Sequence, residues 1–228
     1  MYKNIEVLDK EKFKDIKFSE VEAKEVGKNI GLIPLGFTEV WNASHDCAVI
    51  ISAGENAEFL AFCGVTNEVT IFNKENVYLP AFIRTYPFLN MDVRNEKNEA
   101  SSVIGIDKNP QFVAKNKKIS IIDKDKNISK EANDKIELVR ELNRQREVSR
   151  KIILELKEHD LLVKKDLNVK VQEEEKVILE EFYIIDIQKL IKLDDKILAT
   201  WARKGWMGIF DAHVKSIANF KKVLESNK

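Results

Sequence analysis

We expect the chain to be organised around the segment Val77-Tyr78-Leu79-Pro80-Ala81-Phe82-Ile83-Arg84-Thr85-Tyr86-Pro87-Phe88. It is too apolar for a solvated loop, and its prolines interrupt any long strand because proline has no amide hydrogen to donate. Arg84 is the charged residue of the segment, so we expect its guanidinium to be partly enclosed and to need a partner. The favoured partner is an internal carboxylate or the ring of Tyr78 or Tyr86. The alternative is an anionic ligand or the C-terminus of a bound protein.

The composition describes a globular chain without net charge. Of the 228 residues, 44% are hydrophobic, and 38 basic residues balance 38 acidic ones. The hydrophobic share is sufficient for a substantial core, and the balanced charge disfavours nucleic-acid binding, which requires a positive surface. We see no signal-peptide pattern at the N-terminus and no apolar run long enough to span a bilayer. We therefore expect a soluble protein of the cytoplasm.

Strand and turn signals dominate the first half of the chain. Residues 47–52 and 58–63 are apolar runs around Gly54-Glu55-Asn56, and together they predict a β-hairpin. Cys47 and Cys63 would be cross-strand neighbours in this hairpin. Buried thiols are favoured in a reducing cytosol, and a disulfide is the alternative. A short helix with Thr38 as its N-cap is predicted before the hairpin, strands are predicted after it at Val69–Phe72, Leu89–Val93, Ser102–Ile106 and Ile119–Ile122, and a polar turn is predicted at residues 95–99.

The second half begins with a charged segment, residues 111–160, that predicts one long helix. Ser129 is a suitable N-cap, and apolar residues at helical spacing place the helix at about residues 130–158. Its middle, residues 143–147, has no large apolar side chain, so we expect it to be solvated or, alternatively, to face a polar cavity. Later elements are predicted as strands at Leu161–Val163, Val169–Val171, Val177–Leu179 and Phe182–Ile185, with a bulge or bend at Glu180-Glu181. A helix capped by Asp194 or Asp195 and ended by Gly205 follows, and then a last helix at about residues 207–225.

His213 lies on the apolar stripe of the last predicted helix. The favoured interpretation is a core histidine with one nitrogen bonded to a backbone carbonyl, and the alternative is a ligand or a base. Ser216 and Asn219 follow at three-residue steps and could continue a polar path. The sequence has no GxSxG motif, no nucleotide-binding glycine motif and no metal-ligand spacing. We therefore predict no metal and no cofactor, and enzymatic activity stays open.

Two patterns in the chain resemble the SapC-like family of bacterial surface-layer-associated proteins. They are Tyr-x-Pro-Ala-x-x-Arg-x-Tyr-Pro-Phe at residues 78–88 and Ala-His-x-x-Ser-x-x-Asn at residues 212–219. Ile33-Pro34-Leu35, the apolar run 47–52, Ile106-Asp107, Leu193-Asp194-Asp195 and Gly205 match in the same order. The resemblance implies an accessory protein of surface-layer or envelope protein export, with no established reaction. The candidate binding residues are Arg84, Asp107, His213, Ser216 and Asn219 from the matched pattern, with Tyr78 and Tyr86 beside Arg84.

These observations predict one α+β domain over residues 1–228, with an N-terminal segment at residues 1–30. We expect a mostly antiparallel, irregular sheet, one long charged helix and a C-terminal helical pair. The preferred function is that of an accessory or binding protein whose partner is a protein of the envelope or export machinery. The alternative is an enzyme, or a partner of a peptide-modifying enzyme, that uses a pocket at Arg84 and His213 for a peptide or an anionic substrate.

Overall fold

A computed structural model describes residues 2–27, 30–65, 69–94, 100–171 and 174–225. The strands are β1 (Ile5–Val7), β2 (Lys17–Phe18), β3 (Leu32–Pro34), β4 (Ala48–Ile51), β5 (Phe59–Phe62), β6 (Phe88–Arg94), β7 (Ala100–Asp107), β8 (Val113–Ala114), β9 (Ile119–Ser120), β10 (Leu162–Val171) and β11 (Glu174–Ile185). The helices are α1 (Ala23–Gly27), α2 (Val40–Ala43), α3 (Ala81–Arg84), α4 (Lys130–Glu158), α5 (Ile187–Leu190), α6 (Asp195–Arg203), α7 (Trp206–Ser216) and α8 (Asn219–Leu224). Antiparallel sheets and the long α4 confirm the predicted α+β class. The predicted turn at residues 95–99 lies outside the described residues.

The chain divides into two compact units, and each unit is built from two separate segments. Unit 1 contains Met1–Gly27 and Ala81–Asn143, and unit 2 contains Lys28–Pro80 and Arg144–Lys228. One boundary therefore falls inside the proline-rich segment at residues 77–88, and another falls inside α4. A single domain over residues 1–228 stays a prediction.

Unit 1 is organised around a three-stranded antiparallel sheet with the order β1-β7-β6. The register pairs Phe88 with Ile106 and places β1 along the other side of β7. A smaller sheet, β8-β2-β9, carries Phe18, whose ring meets that of Phe88 edge to face with centroids 5.5 Å apart. Both phenylalanines are fully buried. The strands that were predicted at residues 89–93 and 102–106 are confirmed as β6 and β7.

Unit 2 contains a five-stranded antiparallel sheet with the order β10-β11-β4-β5-β3. Ala48 pairs with Phe62 and Ile51 with Phe59, which confirms the predicted hairpin and its register. Cys47 and Cys63 are buried free thiols, as the favoured interpretation predicts. The pairing of β3 with β5 was not predicted, because a strand of three residues that ends in a proline is too short to show an alternating pattern.

The long charged helix is confirmed as α4 (Lys130–Glu158). Ser129 caps it, since its Oγ accepts a hydrogen bond from the Ala132 amide at 3.2 Å. Apolar side chains are buried in both halves of the helix: Ile136, Val139 and Leu142 belong to unit 1, and Ile152, Ile153 and Leu156 belong to unit 2.

Two predictions near the first hairpin are wrong: the strand at residues 69–72 and the N-cap at Thr38. Residues 69–72 do not form a strand: Thr70 makes an isolated bridge, and its side chain then caps a 3₁₀ turn at Ile71–Asn73. The helical segment before the hairpin begins with a 3₁₀ turn at Phe37–Glu39 that leads into α2, and its N-cap is Gly36 rather than Thr38.

The C-terminal elements follow the predicted order with different boundaries. The four short strands predicted at residues 161–185 form the two long strands β10 and β11. The predicted bulge is confirmed, because Lys165 pairs with Phe182 and Leu167 with Leu179, which leaves two residues of β11 opposite one of β10. Gly205 ends α6 with φ of 75° as expected, and the predicted last helix is divided into α7 and α8.

Candidate functional site

Asp107 and Tyr86, two of the predicted site residues, meet in the core of unit 1. Asp107 ends β7 and is fully buried. Its Oδ2 accepts a hydrogen bond from the Tyr86 hydroxyl at 2.9 Å, and its Oδ1 accepts one from the Asn4 amide at 3.0 Å. Burial, followed by the Asp107 carboxylate, raises the pKa of Tyr86, so its hydroxyl remains a donor. The pair fastens the N-terminal segment to the end of β7.

Arg84 is exposed, and the expectation of a partly enclosed guanidinium is wrong. It is the last residue of α3, which buries Ala81 and Ile83 and leaves Arg84 on the solvent side. Its carbonyl oxygen accepts a hydrogen bond from Lys135 Nζ at 2.9 Å. An exposed guanidinium keeps most of its hydration, so the burial cost that would demand an internal partner does not arise.

Tyr78 belongs to unit 2 and bonds to two carboxylates there. Its hydroxyl donates to Glu39 Oε1 at 2.8 Å, and its amide donates to Asp46 Oδ2 at 2.8 Å. Glu39 is buried, and its Oε2 accepts a hydrogen bond from the Gly36 amide at 2.9 Å. Tyr78 therefore holds the segment before the unit boundary against the region of α2.

His213 is fully buried on α7 of unit 2. Its Nε2 accepts a hydrogen bond from the Ile185 amide at 3.1 Å, so the core interpretation is right about burial but wrong about a carbonyl partner. An accepting Nε2 requires the neutral ring with its proton on Nδ1, and Nδ1 has no hydrogen-bond partner among the described residues. Burial lowers the pKa of His213 to about 3. An enclosed ring whose acceptor nitrogen is occupied is poorly placed to take a proton from a substrate.

Ser216 bonds to the backbone of unit 2 from the next turn of α7. Its Oγ accepts a hydrogen bond from the Val49 amide at 2.9 Å and donates one to the His213 carbonyl at 2.6 Å. Both the donor and an acceptor site of this hydroxyl are therefore occupied inside the protein.

The two α7 side chains bond to amides of β4 and β11 beyond the paired residues of these strands. β4 and β11 pair antiparallel at Ile51 and Tyr183. Two residues further along, the same register would place Val49 opposite Ile185. The amides of Val49 and Ile185 bond to α7 side chains at this point. Helix α7 thus supplies hydrogen bonds where the pairing of the two strands ends.

Asn219 anchors the start of α8 to the loop between α2 and β4. Its Nδ2 donates to the carbonyl oxygens of Ser44 and Cys47 at 2.6 and 3.1 Å. Lys222, one turn later, donates to the His45 carbonyl at 2.8 Å. The predicted polar path of His213, Ser216 and Asn219 is therefore a row of contacts with buried or partly buried backbone.

A family model described as SapC matches residues 8–223. The chain belongs to the SapC family. No match was found among curated proteins or among solved structures. The match extends over residues 78–88 and 212–219, the two patterns that carried the resemblance. Arg84 and His213 lie in different units, and a shared pocket for the two stays a hypothesis.

A charged cluster in unit 2 of this SapC protein was missed at the level of sequence. Glu58, which precedes β5, is buried, and Arg146 of α4 binds it with Nη2 at 2.9 and 2.8 Å from the two carboxylate oxygens and with Nε at 3.2 Å from one of them. Arg150 also bonds to Glu58. The middle of α4, predicted to be solvated, therefore carries an ion pair. A glutamate beside an apolar strand and two arginines four residues apart were the available signals.

The predicted site residues do not line the pocket that the described part of the chain forms in unit 1. Among the residues that the structure describes, no group of histidine, cysteine, aspartate and glutamate side chains is suited to hold a metal ion. None of the helices in the same residues combines the length and the hydropathy of a membrane span. A concave surface of about 570 Å³ in unit 1 is lined by Lys14, Lys118 and Lys124, and none of the seven predicted residues lines it. Asp123 and Glu131 also line this surface, so its charge is mixed.

Proposed function

We propose that this SapC protein is an accessory binding protein that acts in the cytoplasm on a protein partner of surface-layer or envelope protein export. Family membership supports the link to surface-layer proteins, because the family takes its name from that context. The two thiols at Cys47 and Cys63 fit a reducing compartment.

The observation that carries the binding function is the use of the shared polar residues inside the fold. Asp107 and Tyr86 bond to each other, and His213, Ser216 and Asn219 bond to buried or partly buried backbone. A catalytic acid, base or nucleophile must reach a substrate and exchange a proton with it. Residues that are enclosed and already bonded hold a surface in shape, and a shaped surface serves binding.

The proposal is tested by capture from the native bacterium. The tagged chain is expressed at its normal level, cross-linked in cells and purified, and the captured proteins are quantified by mass spectrometry against an unrelated tagged cytoplasmic protein. We expect enrichment of a surface-layer protein or of a component of its export machinery. Capture that enriches no envelope or export protein would refute the proposal.

A pair of variants separates binding from catalysis in the same cells. His213→Gln removes the imidazole, and Arg84→Lys keeps a charge at an exposed position. For a binding protein, His213→Gln should capture the partner at the wild-type level once the amount of folded protein is equalised, whereas reduced capture by Arg84→Lys would place Arg84 in the binding surface. Loss of the cellular function with normal folding and normal capture in either variant would instead indicate a reaction that uses that residue.

A further inference from the structure

Cys47 and Cys63 lie at the end of the β4–β5 pairing of unit 2. Both are fully buried, and their Sγ atoms are 3.7 Å apart. Since Ala48 pairs with Phe62, the next residue on each strand places Cys47 opposite Cys63. The sulfurs of a disulfide are about 2 Å apart, so the two Sγ atoms need to approach each other by less than about 2 Å, which side-chain rotation can provide.

The backbone hydrogen bonds identify the two cysteines as a non-hydrogen-bonded antiparallel pair. The Cys47 amide donates to the Ala43 carbonyl at 2.8 Å, and the Cys63 amide donates to the Gly31 carbonyl at 2.7 Å. The Cys63 carbonyl accepts a hydrogen bond from the Ile71 amide at 2.8 Å. None of these bonds joins the two cysteines to each other. In such pairs the Cα atoms are about 4.5 Å apart, which lies within the range that disulfides span.

We propose that Cys47 and Cys63 form a redox site that closes to a cross-strand disulfide by exchange with a small disulfide such as oxidised glutathione. One cysteine thiol loses its proton and attacks a sulfur of the oxidant, which releases one glutathione and leaves a mixed disulfide. The other cysteine then loses its proton and attacks the protein sulfur of the mixed disulfide, which releases the second glutathione. Two electrons and two protons pass from the cysteine pair to the oxidant.

Burial sets the rate at which this site reacts. Burial, followed by the neighbouring Cys47, raises the pKa of the Cys63 thiol, which lowers the thiolate fraction at neutral pH. Because neither thiol is exposed, an oxidant reaches the pair only after local opening. Asn219 at the start of α8 bonds to the Cys47 carbonyl, so displacement of α8 is one such opening. Exchange in the native state is therefore slow, and it accelerates when urea increases the open population.

The closed site would give the chain two covalent states. In a reducing compartment the pair is a dithiol, and in an oxidising compartment it is a disulfide that links β4 to β5. The inference rests on the geometry of unit 2 alone and does not depend on the identity of any partner.

The experiment measures the disulfide at equilibrium, so slow access does not affect the result. The full chain is incubated in graded ratios of oxidised to reduced glutathione, once in native buffer and once unfolded in guanidinium, until the composition is constant. The reaction is quenched with acid, the remaining thiols are alkylated, and intact mass gives the fractions of dithiol, disulfide and glutathione adduct. We expect the effective concentration of the pair to be about 100-fold higher in the folded chain than in the unfolded chain. The unfolded chain must lose conformational entropy to close the loop between Cys47 and Cys63, whereas the folded chain already holds the two cysteines together.

Two further readouts follow from the same geometry. The wild-type chain should show an intramolecular disulfide between the peptides that contain Cys47 and Cys63, without a stable glutathione adduct. Cys63→Ser, the matched control, should keep one glutathione on Cys47 when unfolded in guanidinium, because no second thiol is present to displace it. An effective concentration in the folded chain equal to or below that in the unfolded chain would overturn the proposal, as would stable adducts on the wild type.

Discussion

The burial of His213 predicts a specific dependence of stability on pH. Burial lowers the pKa of His213 to about 3, whereas a histidine in the unfolded chain has a pKa of about 6.5. Below about pH 6.5 the unfolded chain therefore binds a proton that the folded chain does not bind, and the folded state loses stability as the pH falls. Above about pH 6.5 the neutral ring costs the folded state no stability, and between about pH 6.5 and 3 the free energy of unfolding decreases progressively.

The magnitude follows from the two pKa values. Each pKa unit corresponds to about 1.4 kcal/mol, so lowering the pH from about 7.5 to 5.5 should reduce the free energy of unfolding by about 1.4 kcal/mol through His213 alone. The full difference, reached near pH 3, is of the order of 5 kcal/mol. The window from about pH 7.5 to 5.5 is the useful one, because ordinary carboxylates titrate mostly below it.

The assay is urea unfolding followed by tryptophan fluorescence, repeated at several pH values. His213→Gln removes the titrating group. Between about pH 7.5 and 5.5 the free energy of unfolding of this variant should therefore fall by about 1.4 kcal/mol less than that of the wild type. The matched control is His45→Gln, which makes the same substitution at an exposed position.

An equal pH dependence of the wild type and His213→Gln would show that His213 does not lose its proton on folding. A second measurement covers the case in which His213→Gln does not fold. The ring signals of His213 in the NMR spectrum of the folded wild type should not shift between about pH 7.5 and 5.5, since the folded ring stays neutral in this range. A titration of these signals within the window would contradict the neutral, buried ring.

Three further substitutions test other parts of the structure by urea unfolding. Glu58→Gln should destabilise unit 2 by about 2 kcal/mol, because it leaves partly buried arginines without their carboxylate, whereas Lys215→Ala, which breaks an exposed pair, should cost less than about 0.5 kcal/mol; equal effects would contradict the account of the cluster. Tyr86→Phe should cost about 1–2 kcal/mol, since the buried carboxylate of Asp107 loses a donor, and a neutral result would show that the hydroxyl is not needed. Arg84→Lys should change the free energy of unfolding by less than about 0.5 kcal/mol because the side chain is exposed. A larger loss would support the prediction of a partly enclosed guanidinium.

Features that depend on neighbouring residues were predictable from the sequence. The hairpin register followed from the position of the turn at residues 54–56, and the long helix followed from Ser129 and the apolar spacing at its two ends. The bulge in β11 followed from two adjacent glutamates that break the alternation of apolar residues. In each case the deciding interaction joins residues that lie close together in the chain.

Features that depend on distant backbone groups were not predictable. The stripe that contains His213 indicates burial, but periodicity does not show which buried amide lacks a strand partner, and here that amide is the one of Ile185. The pair of Glu58 and Arg146 joins residues separated by 88 positions, and neither position has a pattern that selects the other. Arg84 is exposed, contrary to the prediction, because even a single helical turn within an apolar segment has a side that faces solvent.

The polar residues of α7 hold the backbone at the point where β4 and β11 separate. The most direct test is the hydrogen exchange rate of the Val49 amide in Ser216→Ala, with Ser149→Ala as the control because Ser149 is also buried but bonds to a carbonyl within its own helix. Loss of a bond to a buried amide costs about 1–3 kcal/mol, so the Val49 amide should exchange about 10- to 100-fold faster in Ser216→Ala and less than about threefold faster in the control. An exchange rate in Ser216→Ala that stays within the range of the control would contradict the claim.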